Sequence, residues 1–215
     1  MTSNHWDAIF SKQRDSELGW YESDLSQTLT FIDRIPPSES TTTFLAGAGT
    51  SQLADILLAK KHQLILNDIS IEALTTLQQR LGKAGALRWL QHDLSEPLPT
   101  QTPQVDLWVD RAVLHFLLSE ADIQTYFHNV TATVRDNGYV LLAEFSKVGA
   151  PKCAGLEVHR YSVEEMSQRM GKGFKLIYQE LYVFTNPFGE PRPYVYALYQ
   201  RLAKESNSSI ISKGY

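Results

Sequence analysis

The order of apolar and polar residues predicts alternating strands and helices along the first two thirds of the chain. Thr41 to Ala46 is β-branched and apolar, and a turn with two glycines follows it. Thr50 to Lys60 places leucine and isoleucine at helical spacing, and Gln63 to Leu66 is a second apolar run that ends at Asp68. Because parallel strands are joined by crossover helices, this stretch predicts one strand, turn, helix and strand unit of a parallel sheet.

The same alternation continues up to the middle of the chain. Serine precedes the next helical stretch as a capping residue, and glycines end that stretch, which supports a helix there. The predicted elements are a helix from Ser70 to Leu81, a strand from Ala86 to Leu90, a strand from Val105 to Val109, a helix from Ala121 to Asp136 and a strand from Tyr139 to Phe145. The pattern therefore predicts an α/β fold.

The two ends of the chain differ from this pattern. Before the sheet, one helix is predicted from Ser23 or Asp24 to Ile35, and near the other end Ser162 to Met170 forms a helix with a capping box. Phe174 to Thr185 and Tyr194 to Leu202 alternate aromatic and polar residues, as an antiparallel hairpin does. We expect one domain, residues 1–202, in which residues 1–35 form a helical lid, followed by a flexible tail, residues 203–215.

Composition narrows the classes of partner. The chain has 215 residues, 43% of them hydrophobic, and a net charge of -4, which gives no general attraction to nucleic acid or to anionic lipid. Cys153 is the single cysteine, no cluster of side chains has metal-ligand spacing, and no apolar run approaches the about 18 residues that a membrane span needs. We expect a cytoplasmic protein without a metal, a nucleic-acid partner or a membrane segment; its oligomeric state stays open.

Acidic residues follow three successive strands of the predicted sheet. They are Asp68, Asp93 and Asp110, and the glycine turn with Gly47 and Gly49 follows the first strand. In an open parallel sheet these strand ends line the ligand crevice, where a carboxylate can accept hydrogen bonds from ribose hydroxyls. One such aspartate could simply cap a turn, but three at successive strand ends favour a nucleoside site.

Other nucleotide sites are disfavoured by the same turn. A nicotinamide-binding turn would have a third glycine at Gln52, and a phosphate-binding loop would contain Gly-Lys-Ser or Gly-Lys-Thr, which the chain lacks. A Tyr-x-x-x-Lys pair for hydride transfer is also absent. An oxidoreductase is therefore the weaker hypothesis.

The turn Gly47-Ala48-Gly49-Thr50-Ser51 and the acids at the strand ends resemble those of the class I S-adenosylmethionine-dependent methyltransferases. This resemblance implies a Rossmann-like fold with a mainly parallel seven-stranded sheet, an antiparallel last strand, helices on both faces, and S-adenosyl-L-methionine as cofactor with S-adenosyl-L-homocysteine as product. It implies these cofactor-binding residues: Trp20, Tyr21, Ala46, Gly47, Gly49, Asp68, Ile69, Asp93, Leu94, Asp110 and Arg111.

Three motifs resemble those of smaller groups within this family. Trp20-Tyr21-Glu22, the segment from Asp110 to Phe116, and Cys153 to Leu156 with Arg160-Tyr161 resemble a group of small bacterial methyltransferases with mostly unassigned substrates. The Trp-Tyr and Asp-Arg pairs are also similar to those of methyltransferases of lysine in translation factors. Leu45 stands where many relatives have an acid, so the cofactor ammonium would need backbone carbonyls or another carboxylate.

Methyl transfer from a sulfonium is an in-line displacement in which the enzyme positions the nucleophile and removes its proton where one is present. The candidate catalytic residues are Asp110, His115 and Glu144, expected at the edge of the crevice. An ion pair within Asp110-Arg111 and a packed His115 are the structural alternatives. We expect methylation of a small-molecule nucleophile, with a protein lysine as the alternative acceptor and a non-catalytic cofactor-binding module as the alternative of another class.

Overall fold

The structure is a computed structural model, and it describes residues 2–203. Seven strands form one sheet: β1 Thr42–Ala46, β2 Gln63–Asp68, β3 Leu87–Gln91, β4 Val105–Arg111, β5 Val134–Phe145, β6 Phe174–Thr185 and β7 Pro191–Arg201. Their order is β3-β2-β1-β4-β5-β7-β6. The first five strands are parallel, and β7 is antiparallel to both of its neighbours, β5 and β6. The predicted mainly parallel sheet with an antiparallel last strand is confirmed.

Helices cover both faces of the sheet. They are α1 Ser3–Phe10, α2 Ser26–Ile32, α3 Leu53–Ala59, α4 Ile71–Leu81, α5 Glu120–Thr133 and α6 Val163–Met170. One buried cluster joins residues of α1 to α4 to one sheet face, and a second joins α5 and α6 to the other. Each strand contributes to both clusters because successive side chains of a strand point to opposite faces. In the described part of the chain, no helix is long and apolar enough to cross a membrane.

Some boundaries differ from those expected. The helix expected to reach Asp136 ends at Thr133, because Val134 pairs with Val105 and is fully buried as the first residue of β5. The segment expected to be a loop after Ser146 contains a short ribbon in which Lys152–Cys153 pairs with Leu156–Glu157. The first helix, α1, was not predicted. The expected tail, residues 203–215, lies outside the described residues from position 204 onward.

The N-terminal segment is tied to the ends of the first two strands by hydrogen bonds. The Ser70 hydroxyl donates to Asp7 Oδ1 at 2.6 Å, and the Thr50 hydroxyl donates to Asp15 Oδ1 at 2.6 Å. Ser70 also caps α4, since its hydroxyl oxygen accepts from the Ala73 N–H, as its position before the helix predicts. These contacts hold α1 and the chain that follows it over the carboxyl ends of the parallel strands.

Candidate functional site

Two adjacent clefts open at the carboxyl ends of the parallel strands. The aromatic cleft lies between the N-terminal aromatic residues and the ends of β2, β3 and β4. The turn cleft lies between residues 18–22 and the glycine turn. Trp20, Gly47, Gly49 and Arg111 line both clefts, so the two form one continuous site.

The clefts bring together ten of the eleven residues predicted to bind cofactor. Four of them line both clefts, as above. The aromatic cleft adds Asp68, Ile69, Asp93 and Leu94, and the turn cleft adds Tyr21 and Ala46. The eleventh, Asp110, lines neither cleft.

The glycine turn requires its glycines for two reasons. Gly47 and Gly49 have φ angles of 56° and 51°, in the left-handed region that side chains disfavour. A Cβ on Gly47 would also lie 2.1 Å from Cγ2 of Val113, which follows β4. The turn therefore packs against the segment after β4, where the strand order changes direction and where ligands bind in open α/β sheets.

Asp68 connects the end of β2 to this turn. Its Oδ2 accepts the Gly49 N–H at 2.8 Å and its Oδ1 accepts the Ser70 N–H at 2.8 Å. Burial raises the pKa of Asp68 to about 6, although the backbone hydrogen bonds from Ser70 and Gly49 oppose this rise. The carboxylate is 6% exposed and faces the aromatic cleft, so its remaining lone pairs can accept from a ligand.

Asp93 has a local structural role and also lines the cleft. Its Oδ1 accepts the N–H of Ser95 at 2.9 Å and the Ser95 hydroxyl at 2.8 Å, which closes the turn after β3. The capping and ligand-binding interpretations of this aspartate are therefore compatible. Ile69 and Leu94, which follow β2 and Asp93, add apolar surface next to the two acids.

Three aromatic residues that the sequence analysis missed complete the aromatic cleft. Trp6 contacts Trp20 edge to face at 5.6 Å between ring centroids and Phe116 at 4.9 Å, while Phe10 contacts Trp20 at 6.1 Å. Trp6 and Phe10 are four residues apart, the spacing that places two side chains on one helix face. That spacing was the available signal in the sequence. The pattern is short, because α1 has only eight residues.

Arg111 is held by several partners where the two clefts meet. Its Nε lies 3.0 Å from Glu22 Oε1 and also donates to the Tyr196 hydroxyl, and its Nη1 donates to the Trp20 carbonyl at 2.9 Å. The side chains of Arg111 and Glu22 are 10% and 7% exposed. Burial raises the pKa of Glu22, and the attraction of Arg111 opposes that rise. The partner of Arg111 is thus Glu22 rather than Asp110.

The three candidate catalytic residues lie together, each with no exposed surface. Asp110 Oδ2 accepts from the Tyr126 hydroxyl at 2.5 Å and from the Leu114 N–H at 3.1 Å, and its Oδ1 accepts from the Val113 N–H at 2.9 Å. The His115 N–H donates to Glu144 Oε2 at 3.1 Å. We expected these residues at the edge of the crevice, but the structure places them behind its wall, on the side of α5.

We call Asp110, His115 and Glu144 the buried acid group. Burial favours the uncharged form of each of these side chains. Burial and the nearby Glu144 raise the pKa of Asp110 well above its ordinary value, and burial raises the pKa of Glu144 to about 8. Burial lowers the pKa of His115 to about 3. The arrangement fixes the backbone after β4, including Val113, which lines the aromatic cleft.

The backbone between the clefts and the buried acid group is strained. Ala112 has a φ of 70° and lines the aromatic cleft. Left-handed backbone is unfavourable for a residue with a Cβ and persists only where the surrounding structure fixes it. Here the hydrogen bonds of Asp110 fix the turn on one side of Ala112, and the contacts of Arg111 fix the strand on the other.

Comparisons with known proteins agree with this geometry. Residues 45–140 match the family described as a methyltransferase domain. An S-adenosylmethionine-dependent methyltransferase from Anabaena variabilis is similar in structure, with 13% identity, a TM-score of 0.75, and coverage of 93% of this chain and 94% of that chain. A comparison with curated proteins found no match.

Two further similar structures contain S-adenosylhomocysteine. The N-methyltransferase NodS from Bradyrhizobium japonicum has 13% identity and a TM-score of 0.64, with 82% of this chain and 86% of that chain covered. The 1,6-didemethyltoxoflavin-N1-methyltransferase from Burkholderia thailandensis also holds 1,6-didemethyltoxoflavin; it has 16% identity, a TM-score of 0.65, and coverage of 94% of this chain and 85% of that chain.

Proposed function

We propose that the chain is a class I S-adenosylmethionine-dependent methyltransferase that methylates a small-molecule nucleophile bound beside the cofactor, under the N-terminal aromatic residues; the match of residues 45–140 to the methyltransferase-domain family and the shared fold support this. The observation that carries this proposal is the cover over the cleft. Trp6 and Phe10 each contact Trp20 over the strand ends, and Trp6 also contacts Phe116 on the other side. An apolar cleft that is partly covered by aromatic side chains and has a few polar groups suits a small ligand.

The residues of the two clefts fit the proposed cofactor. In this proposal the glycine turn lets the backbone approach the methionine half, Asp68 accepts from the ribose hydroxyls, and Asp93 lies beside the adenine. Trp20 and Tyr21 belong to the same N-terminal segment and line the site from above the turn. When bound, the cofactor supplies a methyl group on a positively charged sulfur, and aromatic faces attract such a cation.

The titratable groups of the cleft indicate which acceptors suit it. Among the described residues, the aromatic cleft is lined by Asp68, His92, Asp93, Arg111 and Cys153 as its titratable side chains. We assign the two aspartates to the cofactor. Burial raises the pKa of Cys153 to about 11, so its thiol stays protonated at neutral pH. An acceptor that is already nucleophilic once deprotonated, an amine or a thiol, therefore suits this site best.

This acceptor class is consistent with the similar structures, two of which are N-methyltransferases. In the proposal, Asp110, His115 and Glu144 are positioning residues, since they have no exposed surface through which to touch an acceptor. They hold the segment after β4 in place, and catalysis then consists mainly in aligning the nucleophile with the methyl group. The family match argues against the non-catalytic binding module.

Calorimetric titration with S-adenosylhomocysteine tests the cofactor site. We expect the parent to bind and Asp68→Ala to lose at least about 10-fold in affinity, because a hydrogen bond to a charged group contributes about 1.5–3 kcal/mol. NAD is the control ligand, and Asp122→Ala, in the first turn of α5 and outside both clefts, is the control variant. Equal affinity of the parent and Asp68→Ala, or binding of NAD alone, would reject the assignment.

A methyl-acceptor screen tests the acceptor class. Amines, thiols and lysine peptides are incubated with S-adenosylmethionine, and released S-adenosylhomocysteine is measured. We expect turnover with a small amine or thiol. Turnover with lysine peptides alone would replace the small-molecule proposal by the protein alternative.

A further inference from the structure

The turn cleft carries one acid and one base. Of the described residues that line it, Glu22 is the one carboxylic acid and Arg111 the one cation; the others are apolar, glycine, hydroxyl or amide residues. Leu45, the penultimate residue of β1, lines the same cleft with an apolar side chain that is 3% exposed. A ligand that enters this cleft therefore meets its full charges only at Glu22 and Arg111.

Arg111 has a donor that the fold does not use. Nε and Nη1 are hydrogen-bonded, whereas Nη2 is buried without a hydrogen-bond partner among the described residues. A buried donor without a partner is unfavourable. The guanidinium is fixed in position, with its carbon 4.8 Å from the ring centroids of both Phe184 and Tyr194. Nη2 is thus oriented before any ligand binds.

Glu22 is also held in place, and its carboxylate can accept further hydrogen bonds. Its Oε1 contacts Arg111 Nε at 3.0 Å, and its side chain is 7% exposed. Since a carboxylate offers about four lone-pair sites, the ion pair leaves room for further donors. An ammonium group has three donors and suits such a carboxylate.

We propose that Glu22 binds the ammonium group of the cofactor's methionine half, and that Arg111 binds the carboxylate of the same half through Nη2. This inference rests on the proposed cofactor site and assigns its charged end. Glu22, from the N-terminal segment, takes a role that Leu45 cannot perform. A zwitterion adds no net charge to an ion pair, so each buried charge gains a partner of opposite sign.

The arrangement also makes the cofactor a ligand of the N-terminal segment. Glu22 belongs to the segment that carries Trp20, whose carbonyl accepts from Arg111. Bound cofactor would therefore link this segment to the end of β4 through Glu22 and Arg111. The cover over the aromatic cleft is then tightened by the cofactor before the acceptor reacts.

A pair of ligands tests the inference without reference to activity. The first is S-adenosylhomocysteine, and the second is its deamino analogue, in which hydrogen replaces the amino group. Calorimetry gives the affinity of both for the parent, for Glu22→Gln and for Glu39→Gln, a control with the same substitution at an exposed residue outside both clefts. Glutamine keeps an oxygen that can accept from Arg111 Nε.

We expect Glu22→Gln to weaken S-adenosylhomocysteine about 10- to 100-fold and the deamino analogue less than about 3-fold, because only the former offers an ammonium group. Glu39→Gln should change neither affinity. Equal losses for both ligands, or no loss for either, would overturn the inference while leaving the cofactor site in place. If the parent binds neither ligand, the proposed cofactor site fails as well.

Thermal unfolding without ligand shows whether each variant is folded. If Glu22→Gln is unfolded at the assay temperature, Glu22→Asp replaces it, because aspartate keeps the charge beside Arg111 and shortens the reach. A loss of affinity confined to S-adenosylhomocysteine is again the expected result. Retention of the full affinity by Glu22→Asp and an equal loss for both ligands would each count against the inference.

Discussion

Acidic residues at the ends of the parallel strands fall into two groups with opposite surroundings. Asp68, the last residue of β2, and Asp93, which follows β3, line the aromatic cleft. Asp110 and Glu144, at the ends of β4 and β5, have no exposed surface; Asp110 accepts from Tyr126 of α5, and Glu144 accepts from the His115 N–H. All four are at the same edge of the sheet, so position along a strand does not distinguish them.

The face of the sheet does distinguish them. On β2, Leu66 packs in the core that contains Trp6 and Phe116, and Asp68 follows two residues later on the same face. On β4, Trp108 packs in the other core with Tyr126, and Asp110 follows two residues later on that face. A carboxylate at a strand end thus reaches the cleft or the α5 core according to the alternation of its strand.

The largest expected contrast between the two groups is in stability. Asp110→Ala removes the acceptor of the buried Leu114 N–H, of the buried Tyr126 hydroxyl and of the partly buried Val113 N–H, and we expect it to lower the free energy of unfolding by about 3 kcal/mol. Asp93→Ala opens only the turn to Ser95, and we expect a loss below about 1 kcal/mol. Urea unfolding measures both, and similar losses would contradict the contrast.

The loss of cofactor affinity should be larger for a substitution of Asp68, in the aromatic cleft, than for a substitution of the buried Asp110. Asp68→Asn keeps the size of the side chain but removes the charge and one acceptor, and we expect a loss of about 10-fold for S-adenosylhomocysteine. Asp110→Asn should change this affinity by less than about 3-fold, provided that the variant is folded, since the side chain does not reach either cleft. Calorimetry provides the comparison. A larger loss of affinity for Asp110→Asn than for Asp68→Asn would indicate that Asp110 contacts the cofactor.

These contrasts explain how far the sequence could be used to predict the structure. The apolar runs of β1 to β5 and the capping serine of α4 act locally, so the strands, α4 and the sheet edge that bears the site were predictable. The glycine turn and the acids at the strand ends located the clefts for the same reason. Burial of Asp110 was not predictable, because the alternation along β4 does not show which face of the sheet α5 covers, and Tyr126 belongs to that later helix.

The charged end of the turn cleft shows the same limit. Leu45 indicates that an acid is missing, but the contact between Glu22 and Arg111 joins residues far apart in sequence and depends on how the N-terminal segment packs. The eight-residue helix α1 is too short for its pattern to be clear, so Trp6 and Phe10 were missed. Local signals located the site, and long-range packing decided which residues line it.

The pH dependence of stability separates the groups further. The pKa of Glu144 rises from 4.5 to about 8 on folding, so the folded state binds more protons than the unfolded state between these pH values, and stability falls as pH rises. His115, whose pKa falls from 6.5 to about 3, has the opposite effect, but only below pH 6.5. Asp68, with a pKa of about 6, is largely deprotonated above pH 6.5, so it contributes little to the pH dependence of stability there. The window from pH 6.5 to 8 therefore isolates the buried acid group.

In that window we expect the parent to lose about 1–2 kcal/mol of its free energy of unfolding, as one group with a raised pKa predicts. In Glu144→Gln the side chain at position 144 cannot ionise, so this variant should lose less of its free energy of unfolding between pH 6.5 and 8. Urea unfolding at pH 6.5 and at pH 8 provides the measurement. Glu164→Gln is the control, because Glu164 is exposed and its pKa is lowered, so it does not titrate in this range. A loss of the same size in Glu144→Gln would place the titrating group elsewhere.

The smallest expected effect concerns Ala112, which joins the two regions. Its φ of 70° places Arg111 in the clefts and lets the Val113 N–H reach Asp110. Glycine adopts this conformation without a Cβ clash, so Ala112→Gly should raise the free energy of unfolding by about 0.5–1 kcal/mol. In an ordinary helix the same change is unfavourable by up to about 1 kcal/mol, and Ala121→Gly, at an exposed position of α5, is the matched control. Opposite signs for the two variants in urea unfolding would show that the strain lies in the backbone at this junction, whereas a loss of stability in both would mean that Ala112 is held there without strain.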